Sequence, residues 1–376
     1  MSIIITLSYV LILVYAIVLI VYLIGFLRSD ERGAIDHEQR TFFSIVIAAR
    51  NEEKTIIDCL NSILNQAYPI SKYEILISDD ASSDQTVLLV KEFIKNNAFC
   101  SIQLIESNGV HEGKKKSLKR AVDKSKGDYL LFTDADCTAG MNWLNEMDSI
   151  LSKRPYEMVA GPVLYKGSGI ISNILNVEMA ALQAISVSSV KMRKPLMCNG
   201  ANICLQRNVW LAHYDAMMKE PYPGGDDVFM MLSVMDKNYK NFYYSRSYNA
   251  MVYTQPAKSI IEFSDQRNRW ASKIYHLRRM YISSLGLLVL LSNLVVCVFM
   301  VSSVFNKDIL SVSLNLLLLK AGSDILISTS ALNNFKRSDL IVYSFPAFAL
   351  NLFYVPLIAL RSALFSYKWK GKSYSN

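Results

Sequence analysis

Residues 41–64 read TFFSIVIAARNEEKTIIDCLNSIL, and the fold is decided there. An apolar, β-rich run from Phe42 to Ala49 stops at the polar turn Arg50-Asn51-Glu52. Helical periodicity follows at Ile56, Ile57, Leu60, Ile63 and Leu64. Residues 73–94, YEILISDDASSDQTVLLVKEFI, repeat the pattern of strand, acidic turn and helix. SIQLIES (101–107) predicts a third strand, KKKSLKRAVDKS (114–125) a helix, and GDYLLFTDADC (127–137) a fourth strand ending in carboxylates. Such alternation predicts an α/β fold, a mostly parallel sheet with helices on both faces. Ligands on these sheets bind beyond the carboxyl ends of the strands. Arg50, Asn51 and Glu52, Asp79 and Asp80, and Asp134 and Asp136 all fall at those ends.

Working outward, the 376-residue chain is 52% hydrophobic and 19% charged, with a mean hydropathy of +0.21. These values exclude disorder and argue against a wholly soluble protein. A net charge of +8 fits nucleic acid, an anionic membrane surface or phosphate-bearing substrates. Basic residues gather at membrane flanks and not among aromatic stacking platforms, which speaks against nucleic acid. Six cysteines form no CxxC pair and no zinc spacing, so a reducing compartment is the expectation.

Residues 3–27 carry no charge before Arg28, long enough to span a bilayer. They lack a basic start and a small-residue cleavage site, and so predict an anchor. A second apolar block runs from Ile282 to Phe305. A third, from about Ile309 to Leu332, carries Lys320 and Asp324 four residues apart on one helical face, where a mutual pair is expected. The fourth, Leu340 to Phe365, contains Pro346 and Pro356 and predicts a kinked or re-entrant segment. The expected division is an anchor over 1–28, a globular domain over 41–257, an amphipathic interface segment over 258–281, and a membrane region of about three segments over 282–367. Arg28, Arg32, Arg278, Arg279, Lys336 and Arg337 fit a cytoplasmic globular domain. Lys368, Lys370 and Lys372 fit it only if the fourth block fails to cross.

Asp134-Ala135-Asp136, just past a strand, offers hard oxygen ligands to a divalent cation that a nucleotide diphosphate would share. The plain alternative is a solvated turn. Asp79-Asp80 could grip a base or ribose hydroxyl, or cap the following helix, and both can hold. In Pro223-Gly224-Gly225-Asp226-Asp227-Val228-Phe229, two acids open an apolar helix either as caps or as a general base for an acceptor hydroxyl. Gln266-Arg267-Asn268-Arg269-Trp270 joins fixed positive charge, an amide and an aromatic plate. It reads equally as an amphipathic helix on a membrane, with Arg267, Lys273 and Arg278 toward head groups.

FSIVIAARNEE, ILISDDASSDQT, GKKKSLKRAV, GDYLLFTDADC, NGANICLQR, GGDDVF and QRNRW occur in that order. Together they resemble the successive motifs of membrane-embedded family-2 glycosyltransferases with a GT-A fold, from Phe43 to Trp270. That group includes cellulose, hyaluronan and poly-N-acetylglucosamine synthases and ceramide glucosyltransferase. The resemblance implies Glu52 and Asp79, with Asp80, against the nucleotide base, and Lys114 near the donor. It implies Asp134 and Asp136 at the ribose, diphosphate and metal (Mg²⁺ or Mn²⁺), and Asp227 as catalytic base. Asp226 stands where Glu is more usual. Gln266, Arg269 and Trp270 match QxxRW, implying diphosphate contacts and an acceptor-sugar platform, and Asn202 lies in a segment that approaches the acceptor.

The chemistry implied is inverting transfer from a nucleotide sugar, expected to be a UDP-sugar, to a glycan or lipid acceptor at the bilayer. The competing class is a catalytically silent membrane scaffold of the same fold, which loss of the DxD pair, the base or QxxRW would favour. All three are retained.

Overall fold

A computed structural model describes residues 2–29, 40–219, 226–276, 279–364, 367–369 and 372–374. Arg32, Pro223 to Gly225, Arg278 and Lys370, named above, lie outside them. The chain opens with α1 (Ser2–Leu27), β1 (Phe43–Ala49), α2 (Ile56–Leu64), β2 (Tyr73–Asp79), α3 (Thr86–Asn96) and β3 (Ile102–Glu106). It continues through α4 (Lys114–Lys124), β4 (Tyr129–Asp134), β5 (Thr138–Ala139), α5 (Trp143–Lys153), β6 (Met158–Ala160), β7 (Val163–Tyr165) and α6 (Ile170–Lys191). Then come β8 (Ile203–Gln206), α7 (Arg207–Lys219), α8 (Asp226–Asn238), β9 (Phe242–Tyr244) and β10 (Val252–Thr254). Four further helices follow: α9 (Ile260–His276), α10 (Met280–Phe305), α11 (Leu310–Asn334) and α12 (Ser344–Leu364).

Two units result: Ser29–Lys166 with Pro195–Gln255, and Met1–Arg28 with Gly167–Lys194 and Pro256–Asn376. The first holds a seven-stranded sheet in the order β3-β2-β1-β4-β8-β6-β9 and a small sheet β5-β10-β7. β3, β2, β1 and β4 run parallel, and β8 pairs antiparallel with β4 and β6. The mixed, mostly parallel sheet expected from the sequence is therefore present. β2 is buried at every position, as strands covered on both faces are. One buried polar pair inside the sheet is fully met: the Ser44 hydroxyl donates to Glu74 Oε1 at 2.6 Å and accepts from the Gly127 amide at 2.8 Å. α2 buries Ile56, Cys59, Leu60 and Ile63, the stripe its periodicity predicts. Register aligns Ala49 with Asp79 and Ala48 with Asp134, so three strands end level, with their acidic residues along one edge.

The second unit is helical. Among the described residues, five helical stretches, including α6, are long and apolar enough to cross a membrane. α6 corrects the expected division, because residues 167–194 were assigned to the globular domain. Its apolar run is broken by Asn173, Asn176, Glu178 and Gln183, all buried among other helices, and this masks the pattern. The fourth block opens as a 3₁₀ segment, Ser338–Tyr343, and continues as α12. Pro346 lies in the first turn, where no intrahelical N–H is needed, and Pro356 inside the helix. Phe365 lies outside the described residues. In α11 the expected pair forms: Lys320 Nζ sits 2.7 Å from Asp324 Oδ2. The Tyr15 hydroxyl of α1 donates to the other oxygen, Oδ1, so this charge pair also ties two helices together.

α1 and α6 approach closely at Gly25, where an added Cβ would lie 2.0 Å from Ser188 Oγ and 3.1 Å from its Cβ. Overpacking of this kind costs about 1–3 kcal/mol. Gly25→Ala is expected to lower the melting temperature of the detergent-solubilised protein, and adding Ser188→Ala to recover most of the loss. An unchanged melting temperature in the single variant would contradict the close approach.

Candidate active site

The strand-end loops are built from short side chains that satisfy each other's backbone. Asn51 ends β1 with φ +56°, a left-handed conformation that Asn tolerates better than most residues. Its Oδ1 accepts from the Ser83 amide at 2.8 Å, and its own amide donates to Ser82 Oγ at 3.0 Å. Glu52 N donates to Thr86 Oγ1 at 2.8 Å, and Glu53 N to Asp84 Oδ2 at 3.1 Å. The loops after β1 and β2 are thereby sewn together. Burial pushes the Asp84 carboxyl up, but the hydroxyl and amide of Thr86 outweigh it and hold the group below its ordinary value.

Asp79 and Asp80 both do structural work. Asp79 accepts from the Ser82 amide and hydroxyl, the turn predicted as its alternative role. Asp80 gathers the loop before α4, accepting from the amides of Glu112 (2.8 Å) and Gly113 (3.0 Å) and lying 2.7 Å from His111 Nδ1. The Glu52 carboxylate accepts from Thr55 Oγ1 at 2.9 Å.

Asp134 closes β4, and Asp136 follows in a tight turn fixed by the Cys137 amide donating to the Asp134 carbonyl at 3.0 Å. One ligand atom from each of Asp134, Asp136 and Cys137 lies within 4.8 Å of the others. Burial raises the Asp136 carboxyl above its ordinary value, and the neighbouring Asp134 charge adds to it. Burial and the same two carboxylates push the Cys137 thiol well up. Asp136 is contacted by the Thr254 hydroxyl at 3.3 Å and that thiol at 3.5 Å, neither of which carries charge. A half-buried carboxylate pair offering hard oxygens suits Mg²⁺ or Mn²⁺.

Lysines of α4 face these acids. Lys114 pairs with Asp134. Burial alone would lower the Lys114 ammonium, but Asp134, Asp227 and Asp136 outweigh it and raise it. One cation thus senses both the DxD pair and the GGDD acid. Lys115 lies 3.1 Å from Asp226, whose carboxyl burial raises and Lys115 partly restores. Asp227, at the start of α8, accepts from the Gly200 amide at 3.0 Å and the Val228 amide at 2.9 Å, which orients its carboxylate. Lys115, His111, Asp84 and the Gly200 amide were not singled out in the sequence. Only Lys115 had a signal, its place in the GKKK run.

Asn202 is corrected. It is 0% exposed, donates to the carbonyls of Pro162 (2.9 Å) and Ala250 (2.7 Å), and accepts from Trp143 Nε1 at 2.9 Å. Its amide is saturated inside the domain and cannot reach an acceptor. Gln266, Arg269 and Trp270 lie half-buried on α9 of the helical unit.

A family profile described as "Glycosyl transferase family 2" matches residues 44–202, and one described as "Glycosyl transferase family group 2" matches residues 129–325, just over half the chain. Glycosyltransferase AglE of Haloferax volcanii is 31% identical over 122 residues, covering 32% of this chain and 39% of that protein. Poly-beta-1,6-N-acetyl-D-glucosamine synthase of Staphylococcus epidermidis is 30% identical over 149 residues, 39% of this chain and 35% of the relative. The chain therefore spans well under half the length of these relatives. Among solved structures, mannosyltransferase PcManGT from Pyrobaculum calidifontis, in complex with GDP-Man and Mn²⁺, shares the fold. Its TM-score is 0.56 at 16% identity, over 92% of this chain and 96% of that one.

Asn202→Ala would strand the Trp143 N–H and the Ala250 carbonyl, at about 1–3 kcal/mol for each buried orphan, while the Pro162 carbonyl keeps the Val252 amide. Urea unfolding should show a loss of about 2 kcal/mol or more. A variant of parental stability that had lost sugar transfer would return Asn202 to the acceptor site.

Proposed function

The chain belongs to glycosyl transferase family group 2, and from that membership we propose that it is an inverting glycosyltransferase. It moves a sugar from a nucleotide-sugar donor, a UDP-sugar in our reading, to a glycan or lipid acceptor at the membrane, forming a β-glycosidic bond. The observation that carries this is geometric: neighbouring lysines of α4 reach both acidic groups, Lys114 pairing with Asp134 and Lys115 lying 3.1 Å from Asp226, which supports reading the donor-side and acceptor-side acids as parts of one site. A silent scaffold would have no need to keep a carboxylate oriented opposite a crowded acidic pair.

In the mechanism we propose, the loops carrying Glu52, Asp79 and Asp80 frame the base and ribose, and Lys114 meets the diphosphate. Asp227, oriented by the Gly200 amide, takes the proton of the acceptor hydroxyl as that oxygen bonds to the anomeric carbon. The bond from that carbon to the diphosphate oxygen breaks on the opposite face, so an α-linked donor yields a β-linked product. Asp226, paired with Lys115, keeps the start of α8 in place. Asp136 and Asp134 would hold Mg²⁺ or Mn²⁺, which neutralises charge on the departing nucleoside diphosphate when bound. PcManGT, a protein of like fold, holds GDP-Man with Mn²⁺, a pairing of the same kind. Gln266 and Arg269 take the diphosphate contacts of the QxxRW motif, and Trp270 the acceptor platform. In our reading the catalytic unit faces the cytoplasm, where sugar nucleotides are made, and Arg28, Arg279, Lys336 and Arg337 support that side.

Membranes containing the protein, given a panel of labelled sugar nucleotides and then extracted, should yield labelled lipid or polymer with one donor. Asp227→Asn should lower that transfer about 10²- to 10⁴-fold while donor binding is kept. Transfer above half the parental rate in the folded variant would remove Asp227 from the role of base.

Divalent-cation dependence follows from the carboxylate pair. Excess EDTA and Asp136→Ala should each abolish transfer, and Mg²⁺ or Mn²⁺ should restore only the EDTA-treated parent. Full activity in EDTA would exclude a metal-assisted reaction.

A further inference from the structure

We propose that Arg267 is a positioning residue for Trp270, holding the indole in one plane through a buried charge clamp. The inference rests on the acceptor-platform role given to Trp270 above. Phe263, Arg267 and Trp270 recur at i, i+4 and i+7 along α9 and so share one face. The Arg267 guanidinium lies 4.9 Å from the Phe263 ring centroid and 4.4 Å from that of Trp270. A planar guanidinium both stacks on such rings and is attracted to their faces, whereas an ammonium offers only charge.

The guanidinium is itself anchored. Its Nη2 sits 2.7 Å from Glu178 Oε2 of α6, with the two side chains 4% and 9% exposed. Tyr354 of α12 donates to Glu178 Oε1, and its ring meets Phe263 edge-on at 5.4 Å. Phe263, Arg267, Glu178 and Tyr354 therefore close a ring of contacts across three helices. Arg361 of α12 pairs with Asp265, giving α9 a second charge tie. Breaking a buried pair leaves an uncompensated charge, so this arrangement has little freedom to shift. Arg267 is buried while Gln266, Arg269 and Trp270 remain half-exposed, so it orients the neighbouring indole without facing substrate.

Full-length protein in detergent carrying 5-fluorotryptophan gives a ¹⁹F line for each of its 4 tryptophans, with Trp270 assigned by Trp270→Phe. Arg267→Lys keeps the charge opposite Glu178 but loses the stacking plane. It is expected to shift or broaden the Trp270 line while those of Trp143 and Trp210 stay. With the sugar nucleotide active in the panel and membranes as acceptor source, transfer should fall about tenfold through acceptor KM, with donor hydrolysis within about twofold. The swap Arg267→Glu with Glu178→Arg should regain the thermal stability lost by Arg267→Glu alone, yet regain neither the Trp270 line nor transfer. An unmoved line with parental transfer in Arg267→Lys, or full transfer in the swap, overturns the clamp. If the swap does not fold, Arg267→Lys decides alone. Trp270→Ala separates the premises: parental transfer there removes the platform reading and this inference with it. Transfer lost there but kept in Arg267→Lys removes the clamp only.

Discussion

Crowding of carboxylates along one edge of the sheet is the constraint from which the catalytic unit follows. Asp79 and Asp134 end the two parallel strands that flank β1, one residue apart in register, Asp80 and Asp136 follow within two residues, and α8 brings Asp226 and Asp227. Like charges at such spacing repel by kilocalories wherever water is thinned out. The fold answers in three ways. Backbone amides take up Asp79, Asp80 and Asp227; the α4 lysines take Asp134 and Asp226; and burial raises Asp136 toward its neutral form. What is left over is Asp136, met by an uncharged hydroxyl and a thiol, beside an Asp134 already paired with Lys114. That residue of charge is what a cation bridging to a diphosphate would use.

The helical unit obeys the opposite rule, since its side chains lie where water is scarce. Each buried charge there is met by a partner from a different helix or from one turn away. Lys320 rests on Asp324 and on the rings of Tyr15 and Phe348. Glu178 receives both Arg267 and Tyr354. These links fix helix rotation more than they add stability, because desolvation offsets much of the Coulomb gain. Rotation matters in an apolar bundle, where Leu, Ile and Val surfaces alone do not distinguish one azimuth from another.

Period and turn chemistry were legible in the sequence from β1 to β4, because strands buried on both faces write continuous apolar runs and their loops write acids. Lys320 and Asp324 were legible as a pair by spacing alone. Tertiary partners were not. Nothing in NGAN says that Asn202 turns inward to Trp143, since an Asn that caps a strand turn and one that meets a sugar share the same composition. α6 was hidden for a related reason. Its Asn, Glu and Gln residues are polar in the sequence and buried in the structure, so a hydropathy reading sees a surface helix where packing makes an interior one.

That misreading bears on how the chain is organised. The two units exchange the chain at residues 28, 166, 194 and 255, so α6 is an excursion of the helical unit out of the middle of the sheet domain. Its Glu178 finds its counter-charge, Arg267, only once α9 exists, 89 residues later in the chain. Until then the carboxylate is an unpaired charge on an otherwise apolar helix, costly to leave in a dry environment. Removing the C-terminal helices would therefore not release a self-sufficient sheet domain. It would leave α6 in the chain with Glu178 deprived of both Arg267 and Tyr354. The pairing of Glu178 with Arg267 thus ties a helix from the middle of the sequence to the helices at its C-terminal end, inside one unit.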